Sequence, residues 1–166
     1  MSADHQFNVL FLCTGNSVRS VLSEALLNRW GKGKFKAYSA GSKPKGKVHP
    51  KTIEILNKNN FITENFRSKS WDEFTGDDAP EIDFIITVCS NAANETCPVI
   101  PGSPASAHWN IDDPAREFDT EEQQDREFLK VFMELDQRIQ ILTNLPYEKL
   151  DKMALHEHLQ KTSDPK

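Results

Sequence analysis

The stretch that decides the fold is Phe7-Asn-Val-Leu-Phe-Leu-Cys-Thr-Gly-Asn-Ser-Val-Arg-Ser20. Its first six residues form a nearly all-apolar run rich in strand formers, which is typical of a strand buried on both faces of a parallel sheet. Thr14 to Ser17 is a turn-type cluster, and beyond it apolar residues recur at helical spacing as far as Trp30. The stretch therefore predicts a strand, a glycine-containing loop and a helix.

The alternation of strand and helix continues along the chain. Phe35 to Ala40 predicts a second strand, Pro50 begins a second helix, and Ile82 to Val88 predicts a central strand. A fourth strand is expected around residues 107–110, and Thr120 resembles the N-cap of a long amphipathic helix. This order indicates an α/β fold with a parallel sheet, whose ligands lie at the carboxyl ends of the strands.

Composition predicts one compact domain in the cytosol. The 166 residues suffice for one core, without an internal repeat or a dividing linker, so we expect a single domain over residues 1–166. We expect residues 146–166 to form a C-terminal extension of it, with a helix from Tyr147 to Leu159. The net charge of −5 argues against a nucleic-acid partner or an anionic membrane surface. The N-terminus has no signal-peptide pattern, and no apolar run reaches the roughly 18 residues of a membrane span.

Cys13 and Arg19 stand at the two ends of the predicted loop. The backbone N–H groups of such a loop converge, and the dipole of the following helix adds partial positive charge. A tetrahedral oxyanion fits there, with two of its oxygens bound by the Arg19 guanidinium. The positive potential of the N–H groups, the helix dipole and Arg19 also favours the thiolate form of Cys13. Ser20 can donate a hydrogen bond to this thiolate. The predicted oxyanion-binding residues are Thr14, Gly15, Asn16, Ser17, Val18, Arg19 and Ser20. The alternative is a capped turn that contains Cys and Arg by chance.

This loop resembles the signature of the low-molecular-weight tyrosine phosphatases and of the arsenate reductases that share their fold. The matching residues are Cys13, Gly15, Asn16, Arg19 and Ser20, directly after the first strand. The triplet Ser39-Ala40-Gly41 is also similar to the family, and the resemblance extends from about Phe7 to Leu142. It implies a three-layer sandwich with a central four-stranded parallel sheet, and Cys13 as the nucleophile.

Asp112-Asp113-Pro114 is a second candidate element of the site. By itself such a triplet is most often a solvated turn. The family keeps an Asp-Pro pair late in the chain, so the resemblance implies that Asp113 is the general acid that protonates the departing oxygen. Asp112 is the weaker candidate, because no proline follows it directly.

Cys89 and Cys97 lie eight residues apart after the predicted central strand. They can be inert core residues. A zinc site is disfavoured because the spacing and number of cysteines do not suit it, so no metal centre is predicted. The segment resembles thioredoxin-linked arsenate reductases, in which His-Trp, here His108-Trp109, and an Asp-Asp-Pro follow as well. That resemblance implies a disulfide relay through Cys13, Cys89 and Cys97, regenerated by thioredoxin.

The sequence is compatible with three functions. The first is arsenate reduction, with phosphate or sulfate as competing anions; the second is hydrolysis of phosphotyrosine through a Cys13 phosphoenzyme. The third is an oxyanion-binding or redox-sensing module that is not an enzyme. Ala115 and Arg116 follow Pro114 where tyrosine phosphatases place aromatic residues, which weakens the second reading.

The resemblance also raises the question of a potassium ion. Asn16, Glu24 and Ser39 match positions that bind potassium in some reductases of this family. Ser70 or Trp71 stands where a further acidic ligand is expected. We therefore expect no tightly bound cofactor, with potassium as the single candidate ion.

Overall fold

A computed structural model of the protein describes residues 6–88, 105–146 and 148–150. Within them the strands form one sheet of four, in the order β2-β1-β3-β4. The strands are β1 (Phe7–Cys13), β2 (Phe35–Gly41), β3 (Phe84–Thr87) and β4 (Ala105–His108). Every pairing between neighbours is parallel, so the predicted α/β fold with a four-stranded parallel sheet is confirmed.

The two middle strands are almost completely buried, as their unbroken apolar sequences predict. All residues of β1 are buried except Asn8, and three of the four residues of β3 are buried. The register pairs Cys13 with Gly41, Leu12 with Thr87 and Thr87 with His108. The carboxyl ends of all four strands therefore meet at one edge of the sheet, where Cys13 is the last residue of β1.

Three α-helices connect and cover the strands: α1 (Arg19–Trp30), α2 (Pro50–Lys58) and α3 (Glu121–Thr143). Helix α1 packs on the sheet and on α3, and its residues are buried over most of their length. Helix α2 begins with Pro50 behind a cap in which His49 Nδ1 accepts a hydrogen bond from the Lys51 N–H at 3.0 Å. The Thr120 side chain caps α3 by accepting from the Gln123 N–H at 3.1 Å, as its sequence predicts.

Because successive side chains of β1 point to opposite faces of the sheet, the core has two parts. Phe7, Val9 and Phe11 belong to the larger cluster, together with residues of α1 and α3. Leu10 and Leu12 lie in a smaller cluster with Phe74, which belongs to a 3-10 helix over Trp71–Phe74. Burying side chains of this size contributes about 1.5–3 kcal/mol each, which makes β1 the best anchored segment at the site.

The structure differs from the sequence prediction at three elements. The central strand β3 runs over Phe84–Thr87 rather than Ile82 to Val88. The fourth strand runs over Ala105–His108 rather than 107–110, because its length is set by pairing with the short β3. Trp109 instead turns its buried ring toward Phe11, with ring centroids 5.9 Å apart. Trp30, predicted on the apolar face of α1, is half exposed, and its Nε1 donates to Asp136 Oδ1 at 2.6 Å.

Some predictions lie partly or wholly outside the described residues. Residues 148–150 are helical, within the helix predicted from Tyr147 to Leu159, and residues 151–166 are not described. The C-terminal extension and the single domain over residues 1–166 therefore stay predictions. None of the helices in the described ranges is long and apolar enough to cross a membrane.

Candidate oxyanion site

The loop after β1 lies between a buried strand and the N-terminus of α1. The N-cap residue of α1 is Val18, whose side chain makes no capping hydrogen bond because it has no acceptor atom. The N–H groups of the first helical turn therefore lack the usual side-chain acceptor. An anion bound there would supply one, and the helix dipole also favours negative charge at this position.

The carbonyl groups of the loop are held by the segment between β2 and α2. Cys13 O accepts from the Ser42 N–H, Thr14 O from the Lys43 N–H, Gly15 O from the Lys45 N–H and Ser17 O from the His49 N–H, over 2.8–3.2 Å. In a trans peptide unit the N–H of the next residue points opposite to the carbonyl. Because these carbonyl groups point toward the segment between β2 and α2, the N–H groups of the residues that follow them point to the opposite side of the loop. This arrangement is a backbone nest suited to an anion.

Asn16 locks the curvature of the loop from inside. It is fully buried and has a φ of 46°, the left-handed conformation that asparagine tolerates better than most residues. Its Oδ1 accepts from the backbone N–H of Lys69 at 2.8 Å, and its Nδ2 donates to Ser20 Oγ at 2.7 Å. Gly41 gives the loop room, since a Cβ there would lie 2.5 Å from Thr14 O.

These contacts favour Ser20 as the donor in its hydrogen bond with the Cys13 sulfur. The Lys69 N–H can only donate, so the Asn16 amide must present Oδ1 to it and Nδ2 to Ser20. Because Ser20 Oγ accepts from Asn16, its own hydrogen is left to donate. Cys13 Sγ lies 3.0 Å from Ser20 Oγ and is the atom placed to receive it. The predicted serine–cysteine contact is present, in a geometry suited to a negatively charged sulfur.

Arg19 joins this loop to the segment that carries Asp113. Its Nη1 donates to Ile111 O at 3.0 Å, and its Nη2 lies 3.9 Å from Asp113 Oδ2. Asp113 Oδ1 accepts from the Ala115 N–H at 2.9 Å, which holds the carboxylate in a turn. Asp112 is exposed, whereas Asp113 lines the pocket, so the structure brings the predicted aspartate to the cysteine and arginine.

The resulting cavity has a volume of about 220 Å³ and is lined by Cys13, Thr14, Gly15, Asn16, Ser17, Val18, Arg19, Lys43, Lys45 and Asp113. Most of the predicted oxyanion-binding residues line it, while Ser20 lies behind Cys13 as its hydrogen-bond partner. A larger, open groove of about 650 Å³ runs along α3 and includes Met133 and Ile141. That groove is lined by neither a cysteine nor a basic residue, so the smaller cavity is the candidate site.

Two predicted site residues, Cys89 and Cys97, lie outside the described residues. The residue before Cys89 is Val88, which is fully buried and donates its N–H to Leu12 O at 2.8 Å. Leu12 in turn precedes Cys13. The end of β3 therefore lies beside the end of β1, the edge at which the candidate site lies.

Behind the loop is a partly buried charge pair, Glu24 and Lys69. Ser39 Oγ donates to Glu24 Oε1 at 2.5 Å, and Lys69 Nζ lies 4.0 Å from the same oxygen. Burial raises the pKa of Glu24 and lowers the pKa of Lys69, while each charge opposes the shift of the other. Glu24 and Ser39 were singled out from the sequence, but no spacing signal connects Lys69 to them.

Comparisons with known proteins agree with this geometry. The family model described as low molecular weight phosphotyrosine protein phosphatase matches residues 8–155. An arsenate reductase of Staphylococcus aureus (strain N315) is 36% identical over 130 residues, which cover 76% of this chain and 92% of the relative.

Two solved structures extend the likeness to the fold. An arsenate reductase from Archaeoglobus fulgidus has 30% identity and a TM-score of 0.65, covering 82% of this chain and 99% of its own. A thioredoxin-dependent arsenate reductase of Corynebacterium glutamicum has 25% identity and a TM-score of 0.62, covering 90% of this chain and 64% of its own. With a family match from β1 through α3 and a relative above 30% identity over most of its length, this chain belongs to the low molecular weight phosphotyrosine protein phosphatase family.

Proposed function

We propose that this protein reduces arsenate to arsenite in the cytosol, with Cys13 as the nucleophile and thioredoxin as the reductant. The observation that carries the proposal is the cavity in which Cys13 Sγ, the Arg19 guanidinium and the Asp113 carboxylate converge on a backbone anion nest. Relatives named arsenate reductase, one of them thioredoxin-dependent, support the choice of substrate and reductant.

The first step forms a bond between sulfur and arsenic. The nest and Arg19 hold the arsenate, and the Cys13 thiolate attacks the arsenic. One arsenic–oxygen bond breaks, and Asp113 gives its proton so that the oxygen leaves as water. Arsenic stays in the +5 state, so this step needs no reductant. A phosphate ester can take the same step, which explains how one pocket serves both branches of the family.

The second step is the reduction. The Cys89 thiolate attacks the Cys13 sulfur, and the electron pair of the sulfur–arsenic bond passes to arsenic, which leaves as arsenite. Cys97 then attacks Cys89, so that Cys13 is released as a thiolate and the disulfide joins Cys89 to Cys97. Thioredoxin donates two electrons and two protons to that disulfide. Support for this relay comes from the two cysteines of the sequence and from the position of Val88 beside Leu12.

A coupled assay tests the proposed function. Wild-type protein with arsenate, thioredoxin, thioredoxin reductase and NADPH should oxidise about one NADPH per arsenite formed, since each thioredoxin disulfide carries two electrons. Phosphate and sulfate should inhibit competitively, because they are tetrahedral oxyanions of similar size. Hydrolysis of phosphotyrosine without NADPH consumption would favour the alternative, a tyrosine phosphatase that works through a Cys13 phosphoenzyme. Absence of both activities would leave the oxyanion-binding or redox-sensing module.

We further propose that a potassium ion is not needed. Glu24, Ser39 and Asn16 are the residues that would hold the ion, but the Lys69 ammonium is already 4.0 Å from Glu24 Oε1. Whether the proton of the pair is on the lysine or on the glutamate, the pair has no net negative charge. The site therefore lacks the uncompensated carboxylate that a potassium ion would neutralise.

Replacing potassium chloride by choline chloride at constant ionic strength should change kcat/KM for arsenate by less than about twofold, because Lys69 already balances Glu24. Lys69→Met is the matched variant: it removes the ammonium but keeps the backbone N–H that binds Asn16. This variant should lose activity in choline and recover part of it in potassium. A strong potassium requirement of the wild type would contradict the proposal.

A further inference from the structure

The segment between β2 and α2 is a fixed wall of the oxyanion cavity. The N–H of Lys43 donates to Thr14 O at 2.8 Å, and the N–H of Lys45 donates to Gly15 O at 3.0 Å. These bonds continue the pairing of β1 with β2 past its last pair, Cys13 with Gly41. The backbone that carries both lysines is therefore attached directly to the backbone that forms the anion nest.

The side chain of Lys45 lies along that nest. A Cβ added to Gly15 would lie 3.2 Å from Lys45 Cε and 3.3 Å from Lys45 Cγ, so the aliphatic stem covers the glycine. The ammonium group is one bond beyond Cε, which keeps its charge close to the loop. The charge of Lys45 also acts on His49. Burial is the largest cause that lowers the pKa of this histidine, and the positive charge of Lys45 is the second. Lys43 lines the same cavity.

The charges around the cavity contrast with those of the whole protein. Arg19, Lys43 and Lys45 line it with one carboxylate, Asp113, although the chain has a net charge of −5. Among the ion pairs of the described residues, none involves Lys43 or Lys45. Both ammonium charges are thus left to act on an anion in the cavity. A local excess of positive charge at a concave site raises the concentration and the capture rate of anions.

We infer that Lys43 and Lys45 are anion-binding residues of this site: they raise its affinity for small, doubly charged oxyanions. This rests on the proposed function and adds the class of anion that the pocket prefers. Arg19 and the loop N–H groups recognise the tetrahedral shape, and the lysines recognise total charge. Arsenate and phosphate present two negative charges near neutral pH, all within reach of the wall.

The test measures anion binding at Cys13 without turnover. Iodoacetamide, which is neutral, alkylates Cys13, and inorganic phosphate in the loop should protect it; the Cys13 peptide is quantified by mass spectrometry. The variants are Lys43→Gln, Lys45→Met, which keeps the stem over Gly15, and the double variant. Lys47→Gln is the matched control, since it removes one charge from the same loop at an exposed position that does not line the cavity. Iodoacetate serves as a negatively charged probe in parallel.

Each single variant should raise the phosphate concentration for half-protection roughly threefold, and the double variant roughly tenfold, as expected for exposed charges screened by salt. The ratio of the iodoacetate to the iodoacetamide rate should fall in the same order, and Lys47→Gln should match the wild type. Equal protection of wild type and double variant would overturn the anion-binding role of Lys43 and Lys45 alone. Failure of phosphate to protect the wild type would instead overturn the oxyanion site on which the proposed function depends.

Discussion

Cys13→Ser is expected to abolish arsenate reduction and hydrolysis of a phenyl phosphate together. Loss of the nucleophile costs on the order of 10⁴-fold or more in kcat in enzymes of this type, because a serine hydroxyl is not ionised near neutral pH. The variant should keep the fold, because the serine oxygen at position 13 can still form a hydrogen bond with Ser20 Oγ. In the wild type, Ser20 Oγ lies 3.0 Å from Cys13 Sγ. The checks are initial rates with both substrates and the thermal unfolding midpoint.

The control for this variant is anion binding. The nest consists of backbone N–H groups and Arg19, which the substitution leaves in place, so phosphate should still raise the unfolding midpoint of Cys13→Ser. An inactive variant that no longer binds phosphate would indicate a damaged loop and would carry no information about the nucleophile. Retention of wild-type activity would remove Cys13 from its proposed role.

Cys97→Ser is expected to stop arsenate turnover with thioredoxin while phosphatase activity persists. The first chemical step uses Cys13, Arg19 and Asp113 alone, whereas Cys97 enters only when the disulfide leaves Cys13. Steady-state reduction should therefore fall by roughly a thousandfold or more, as expected when a residue that must act in every cycle is removed. NADPH oxidation measures the reduction, and hydrolysis of a phenyl phosphate measures the first step separately.

The two cysteine variants should accumulate different species. After arsenate and without reductant, Cys97→Ser should trap a disulfide between Cys13 and Cys89, and one equivalent of arsenite should be released. Cys89→Ser should form no disulfide between residues 13 and 89, because the sulfur of residue 89 is missing. This variant still carries Cys97. Peptide mapping under non-reducing conditions distinguishes the two. Full thioredoxin-linked turnover by Cys97→Ser would exclude the three-cysteine relay in favour of a two-cysteine mechanism or a small thiol.

The amino-acid sequence by itself determined the parts of this protein that depend on neighbours along the chain. The apolar run before Cys13, the turn after it and the helical spacing up to Trp30 predicted a buried strand, an anion loop and a helix. They did so because strand, turn and helix periodicities are local. The role of Asp113 is implied only by the family resemblance of its pair with Pro114, and the structure places its Oδ2 3.9 Å from Arg19 Nη2.

Only the tertiary structure decided which distant residues complete the site. Lys43, Lys45 and Lys69 reach the loop because β2 pairs with β1 and because Asn16 binds the backbone of residue 69. The limits of β4 likewise follow from the length of β3, and the exposure of Trp30 follows from where α1 ends against α3. A sequence pattern records how far a residue is from its neighbours along the chain. Pairing across a sheet, and the charges it brings together, depend on register and packing between segments that no local period encodes.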